Sequence, residues 1–115
     1  MKYLLLIHAS EAEEAKIPPE ELGQILQAYG AYYDALVEAG AMQGGERLRP
    51  AGEATSVRVR NGKTGVLNGP YAETREQLGG YYLIDVPDLD AALSWAARCP
   101  GASTGCMEVR PVWAM

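Results

Sequence analysis

Histidine occurs once in these 115 residues, at position 8. It is the side chain that changes charge near neutral pH unaided, so acid–base chemistry points first to His8. The plainer account of His8 is a ring at the end of a strand, satisfied by backbone or water. A second concentration of reactive types runs from Asn68 to Gly80, where Glu73, Arg75 and Gln77 offer an acid, a cation and an amide to a ligand. Asn68 and Tyr71 precede them. Gly79 and Gly80 follow, and glycines there would let a ligand approach the backbone closely. The same stretch also reads as a solvated loop satisfying its own backbone, with Asn68 turning the chain and Gly69 and Pro70 fixing it. Arg47, Arg49, Arg58, Arg60 and Lys63 gather positive charge in an acidic chain, which suits a small anionic substrate. Cations guarding a solvated edge strand are the plainer account of them.

Several chemistries are not encoded. Cys99 and Cys106 lack C-x-x-C spacing, and a single histidine cannot build a histidine-rich centre, so no metal is expected. The two thiols flank a six-residue loop and could pair if oxidised, although cytoplasmic cysteines stay reduced. There is no phosphate loop, dinucleotide fingerprint or nucleophile elbow, and no organic cofactor is expected. Tyr29, Tyr32, Tyr33, Tyr81 and Tyr82 could stack an aromatic ligand, but the apolar stripes they lie on demand the same bulk for a core. Trp95 and Trp113 read as packing between subunits.

The elements that must position these groups follow from periodicity. Residues 2–8 form a strand with Tyr3, Leu5 and Ile7 on one face and Leu4 and Leu6 on the other. Pro18 and Pro19, followed by Glu20 and Glu21, open a helix. Leu22, Ile25, Leu26, Tyr29, Tyr32, Tyr33, Leu36 and Val37 form its stripe, and Gly40 ends it. Gly23 and Gly30 inside that helix suggest close packing against another backbone. A brief strand is expected at 46–49. Residues 55–60 alternate dry and wet, and Asn61-Gly62 turns them into a hairpin through residue 67. Residues 72–78 are a helical turn or an ordered loop. Residues 81–86 are apolar on both faces apart from Asp85. Asp88 then caps a helix that stops at Cys99 and Pro100, and residues 106–113 form the last strand.

That order is the α+β ferredoxin-like sandwich with an added β-hairpin. Strands 2–8 and 81–86 are the central neighbours, and 55–60 and 106–113 take the edges. His8, Gly79, Gly80 and residues 106–108 then converge at one rim, where Glu108 could orient His8 as a general base. The loop 68–78 overhangs that rim. Two helices cover one sheet face, and the apolar second face calls for a homodimer with sheets packed face to face.

One domain spanning residues 1–115 accounts for the length. Its 48% hydrophobic and 22% charged residues describe an ordinary globular protein and exclude disordered or collagen-like chains. A net charge of −5 has the wrong sign for phosphate-driven binding, so no nucleic-acid partner is expected. No apolar run is long enough for a membrane span or signal peptide, which implies no membrane and a cytoplasmic location.

The stretch Asn68-Gly69-Pro70-Tyr71-Ala72-Glu73-Thr74-Arg75-Glu76, running on into Gly79-Gly80-Tyr81-Tyr82-Leu83, resembles the YCII-related proteins of the DGPF type. Their signature reads Asp-Gly-Pro-Phe-Ala-Glu-Thr-Lys-Glu. Gly45-Glu46-Arg47-Leu48, Val57-Arg58-Val59-Arg60, Asp88-Leu89-Asp90, Trp95-Ala96-Ala97 and Glu108-Val109-Arg110-Pro111-Val112 extend the likeness over nearly the whole chain. The resemblance implies a ferredoxin-like dimer resembling a dimeric αβ-barrel, with a small-molecule site. Asn68 and Tyr71 replace the aspartate and phenylalanine of the signature. The His-Asp pair that other YCII-type proteins use for elimination on hydroxylated aromatics has no counterpart, because the first helix carries no histidine. With no agreed reaction implied by the resemblance, the residues read as a binder of a small anionic or aromatic ligand, with or without cofactor-free acid–base chemistry on a small acid or hydroxylated aromatic. The other implied function is a non-catalytic, ligand-sensing module associated with an extracytoplasmic-function sigma factor.

Overall fold

The computed structural model of the chain describes residues 1–114. In chain order these form β1 (Lys2–Ala9), α1 (Glu11–Glu14), α2 (Pro19–Glu38), β2 (Met42–Arg47), a 3-10 turn (Ala51–Glu53), β3 (Thr55–Arg60), β4 (Lys63–Asn68), β5 (Gln77–Asp85), α3 (Leu89–Arg98), α4 (Gly101–Thr104) and β6 (Cys106–Pro111). Four strands make one antiparallel sheet in the order β2-β5-β1-β6, which is the ferredoxin-like α+β arrangement.

The two strands apolar on both faces, β1 and β5, are the central pair, each hydrogen-bonded along both edges. One sheet edge departs from expectation. β3 and β4 pair with each other as a separate two-stranded arm, and the edge is β2. β2 runs from Met42, earlier than the 46–49 strand expected, because Gly44 and Gly45 carry no strand preference. The two glycines still have reasons to be there. β2 is bulged between Met42 and Gly44, and a Cβ on Gly45 would stand 2.8 Å from the Tyr81 carbonyl.

β5 likewise begins at Gln77, so the end of the expected loop is strand, and β6 stops at Pro111, short of 113. Two short helices, α1 and α4, were not foreseen. α1 is capped by Ser10, whose Oγ accepts from the Glu13 amide.

The core lies between the helices and one sheet face. Tyr3 and Leu5 of β1, Ile84 of β5, Tyr32 and Leu36 of α2 and Ala92 and Ala96 of α3 are buried there. Asp88 Oδ1 accepts from the Ala91 amide and starts α3 as expected. Trp95 packs within this core. Its ring centroid is 6.1 Å from that of Tyr32, and the Arg98 guanidinium lies 4.2 Å above it, which replaces the subunit contact expected from its off-stripe position. Gly23 and Gly30 also correct an expectation. A Cβ at either would meet nothing within 4 Å, so no neighbouring backbone requires them.

Candidate functional site

Register decides which side chains share the face away from the helices. Met107 and Val109 of β6 pack against the core, so Glu108 between them faces the other way. His8 pairs with Cys106 and Leu6 with Glu108, which puts His8 and Glu108 one step apart on that open face. His8 Nε2 and Glu108 Oε1 are 3.0 Å apart. The ring is half-buried and the carboxylate is half-exposed. Glu108 therefore holds the imidazole in one orientation. Leu4, Leu6, Tyr81 and Leu83 continue the same face.

The loop residues do not gather around this pair. Asn68 ends β4 opposite Thr55, and the turn after it is made by Gly69 at φ +121°, a conformation that suits glycine. Tyr71 is 78% exposed. Glu73 and Arg75 are exposed, with no ion pair among the described residues. Gln77 is committed to structure. Its Oε1 accepts from the Glu11 amide at 2.9 Å and its Nε2 donates to the Thr74 carbonyl, while Glu11 Oε2 accepts from the Ala51 amide. Those bonds tie α1, the loop and the 3-10 turn together. Gly80 is required by sheet packing, since a Cβ there would stand 2.9 Å from the Glu46 carbonyl.

A cleft opens on the helix-covered face. Tyr32 and Leu36 in the second half of α2 are buried, but Leu22 and Leu26 in its first half are 41% and 51% exposed. That half stands off the sheet and leaves a cleft of about 330 Å³. Ile7, Gly79, Gly80 and Tyr82 line it from the sheet, and Leu22, Ile25, Leu26, Tyr29 and Tyr33 line it from α2. The polar groups are few. Glu14, Glu46, Arg47 and Thr104 reach the lining, and Arg47 forms no ion pair among the described residues. Burial, with the neighbouring Cys99 next in effect, raises the pKa of the Tyr29 phenol above the ordinary tyrosine range, so it stays a neutral donor. Sequence reasoning counted Arg47 among scattered cations. Its place in a cleft depends on how α2 tilts, for which periodicity holds no signal.

Among the described residues no three His, Cys, Asp or Glu side chains gather at metal-binding distances, and both cysteines are free thiols. No described helix is long and apolar enough to cross a membrane.

The profile of the YCII-related domain matches residues 1–115. The chain belongs to the YCII-related family. The uncharacterised protein R00369 from Rhizobium meliloti (strain 1021) is 40% identical over 114 residues, covering 97% of this chain and 92% of the relative. Neither finding names a reaction, so the chemistry of this YCII-related chain has to be argued from its cleft and its open face.

Proposed function

We propose that this YCII-related chain binds a small hydroxylated aromatic or apolar acid in the cleft under α2. The observation that carries the reading is Arg47, a cation without an ionic partner among the described residues, lining a mostly apolar cleft of about 330 Å³. That volume sits at the small end of ligand sites, which are mostly apolar with a few placed polar groups. The guanidinium takes the carboxylate in a two-point contact. Glu14 repels an anion and accepts from a hydroxyl, so a ligand carrying both groups orients with its acid toward Arg47. Tyr29 and Tyr33 supply aromatic walls.

A second copy of the chain covers the open sheet face, which offers Leu4, Leu6, Tyr81 and Leu83 for sheet-on-sheet packing.

Acid–base catalysis is the second reading, favoured by the 3.0 Å His8–Glu108 contact. His8 projects from the sheet face opposite the cleft, so the two readings place the ligand on different faces. A thermal-shift panel of aromatic and aliphatic acids, paired with their neutral amides, separates them. Binding stabilises by about 2.7 kcal/mol at a hundredfold excess over Kd. Acids are expected to shift the wild type and His8→Gln alike and to leave Arg47→Met unmoved. A panel without hits, or equal shifts in Arg47→Met, would remove the cleft reading. Loss of the shift or of turnover in His8→Gln alone would transfer the site to the open face.

A further inference from the structure

The β3–β4 arm is a folded unit without a core. Its register sets Val57 opposite Val66 and Val59 opposite Thr64, which places the three valines on one face. They are 60%, 65% and 57% exposed. Ser56, Arg58 and Arg60 occupy the other face with Lys63 and Leu67. A two-stranded hairpin in water is marginally stable at best, and durable ones pack an apolar face on something. Within the chain the arm is anchored at its base, where the Gly69 amide donates to the Ala54 carbonyl and Ser56 Oγ donates to the Gly69 carbonyl. Those bonds hold its root and leave the valine face bare.

Charge indicates what covers it. Residues 54–72 contain Arg58, Arg60 and Lys63 and no acid, whereas the whole chain carries −5. The open sheet face is the matching surface. Its apolar centre of Leu4, Leu6, Tyr81 and Leu83 is bordered by Glu46, opposite Tyr81, and by Glu108, opposite Leu6. The valine face meets an apolar face bordered by carboxylates, the cations on the arm's outer face draw it toward that acidic surface, and both belong to the same chain.

We propose that the arm is an interaction surface for a second copy of this chain, with Val57, Val59 and Val66 seated at the rim of the partner's open face and Arg58, Arg60 and Lys63, on the arm's outer face, steering it toward that acidic surface. This rests on the face-to-face dimer above and adds reciprocal arms to it, since a two-fold axis makes every such contact occur twice. Charge steering of this kind sets orientation and association rate more than it adds affinity. The arm also gives a role to a hairpin that carries three of the chain's ten basic residues and no acid.

Sedimentation equilibrium over a dilution series reads the association, for the wild type, for Val57→Glu with Val66→Glu, and for Arg58→Glu with Arg60→Glu. The wild type is expected to dimerise, the valine variant to raise the dimer Kd about tenfold or more, and the charge-reversed variant to raise it by an amount that shrinks with added salt. Amide exchange of the wild type removes any dependence on variant folding. Arm amides are expected to exchange slowly above the dimer Kd and quickly below it. A monomeric wild type overturns the dimer and the arm together. A wild-type dimer whose arm amides exchange at one rate at all concentrations, and whose Kd neither variant moves, overturns the arm and leaves the face-to-face dimer standing.

Discussion

Tyr32 shows how one residue joins the helices to the sheet. Its hydroxyl donates to the Trp95 carbonyl at 2.8 Å, and its ring meets Tyr82 edge-on at 5.3 Å. Burial raises the pKa of Tyr29 and Tyr32 well above the ordinary range, and burial with the nearby Cys99 raises that of Tyr82. The same burial pushes the Cys99 thiol up, so it stays protonated and unreactive at neutral pH. A phenol kept neutral in the fold ionises near its ordinary value of about 10 once the chain unfolds. Its raised folded value means that this stability is fully present below pH of about 10 and is lost as pH rises through the folded value. Three of the seven tyrosines should therefore withhold their phenolate absorbance until the circular dichroism collapses. Ionisation of all seven while the fold persists would show that the cluster is open to water.

At the scale of elements, α2 carries two glycines that nothing in the chain requires. Gly23 and Gly30 have open space where a Cβ would go and no positive φ. Glycine inside a helix costs about 1 kcal/mol against alanine, so Gly23→Ala and Gly30→Ala should each raise the unfolding free energy by about that amount. Denaturant melts with an unchanged slope would check this, and a loss of stability in either variant would show that the helix surface meets a neighbour in solution. α2 itself was legible from its unbroken stripe. So was the arm, because Asn61 and Gly62 take the left-handed φ of 52° and 74° that a tight hairpin turn demands. The proximity of His8 to Glu108 was legible too, since antiparallel pairing leaves few partners for the end of β1. β2 was half-hidden because Gly44 and Gly45 erase its pattern. The cleft was invisible: α2's stripe is continuous, and only tertiary packing lifts its first half off the sheet. For the same reason the stripe did not reveal that Leu22 and Leu26 remain exposed while Tyr32 and Leu36 are buried.

The molecule is a plate of 48 × 43 × 18 Å with a radius of gyration of 16.1 Å. A compact chain of this length has a radius of gyration of about 13 Å. The excess follows from one sheet bearing helices on a single face, with a bare arm attached. A plate of this kind can associate by its edges or by its face. Its edges are poorly suited to pairing. β6 offers Glu108, Arg110 and then Pro111, which cannot donate to a ladder, and β2 is short and bulged. The open face has no such protection. Leu4, Leu6, Tyr81 and Leu83 lie side by side there, so association by the face buries apolar area that the edges lack. Two plates stacked by their open faces should scatter X-rays as a particle about twice as thick, with its long dimensions nearly unchanged. Edge-to-edge association would instead double a long dimension at constant thickness. Small-angle scattering above the dimer Kd distinguishes the two shapes without any substitution. A profile of constant thickness and doubled length would place the contact on an edge, and the apolar face would then need another occupant.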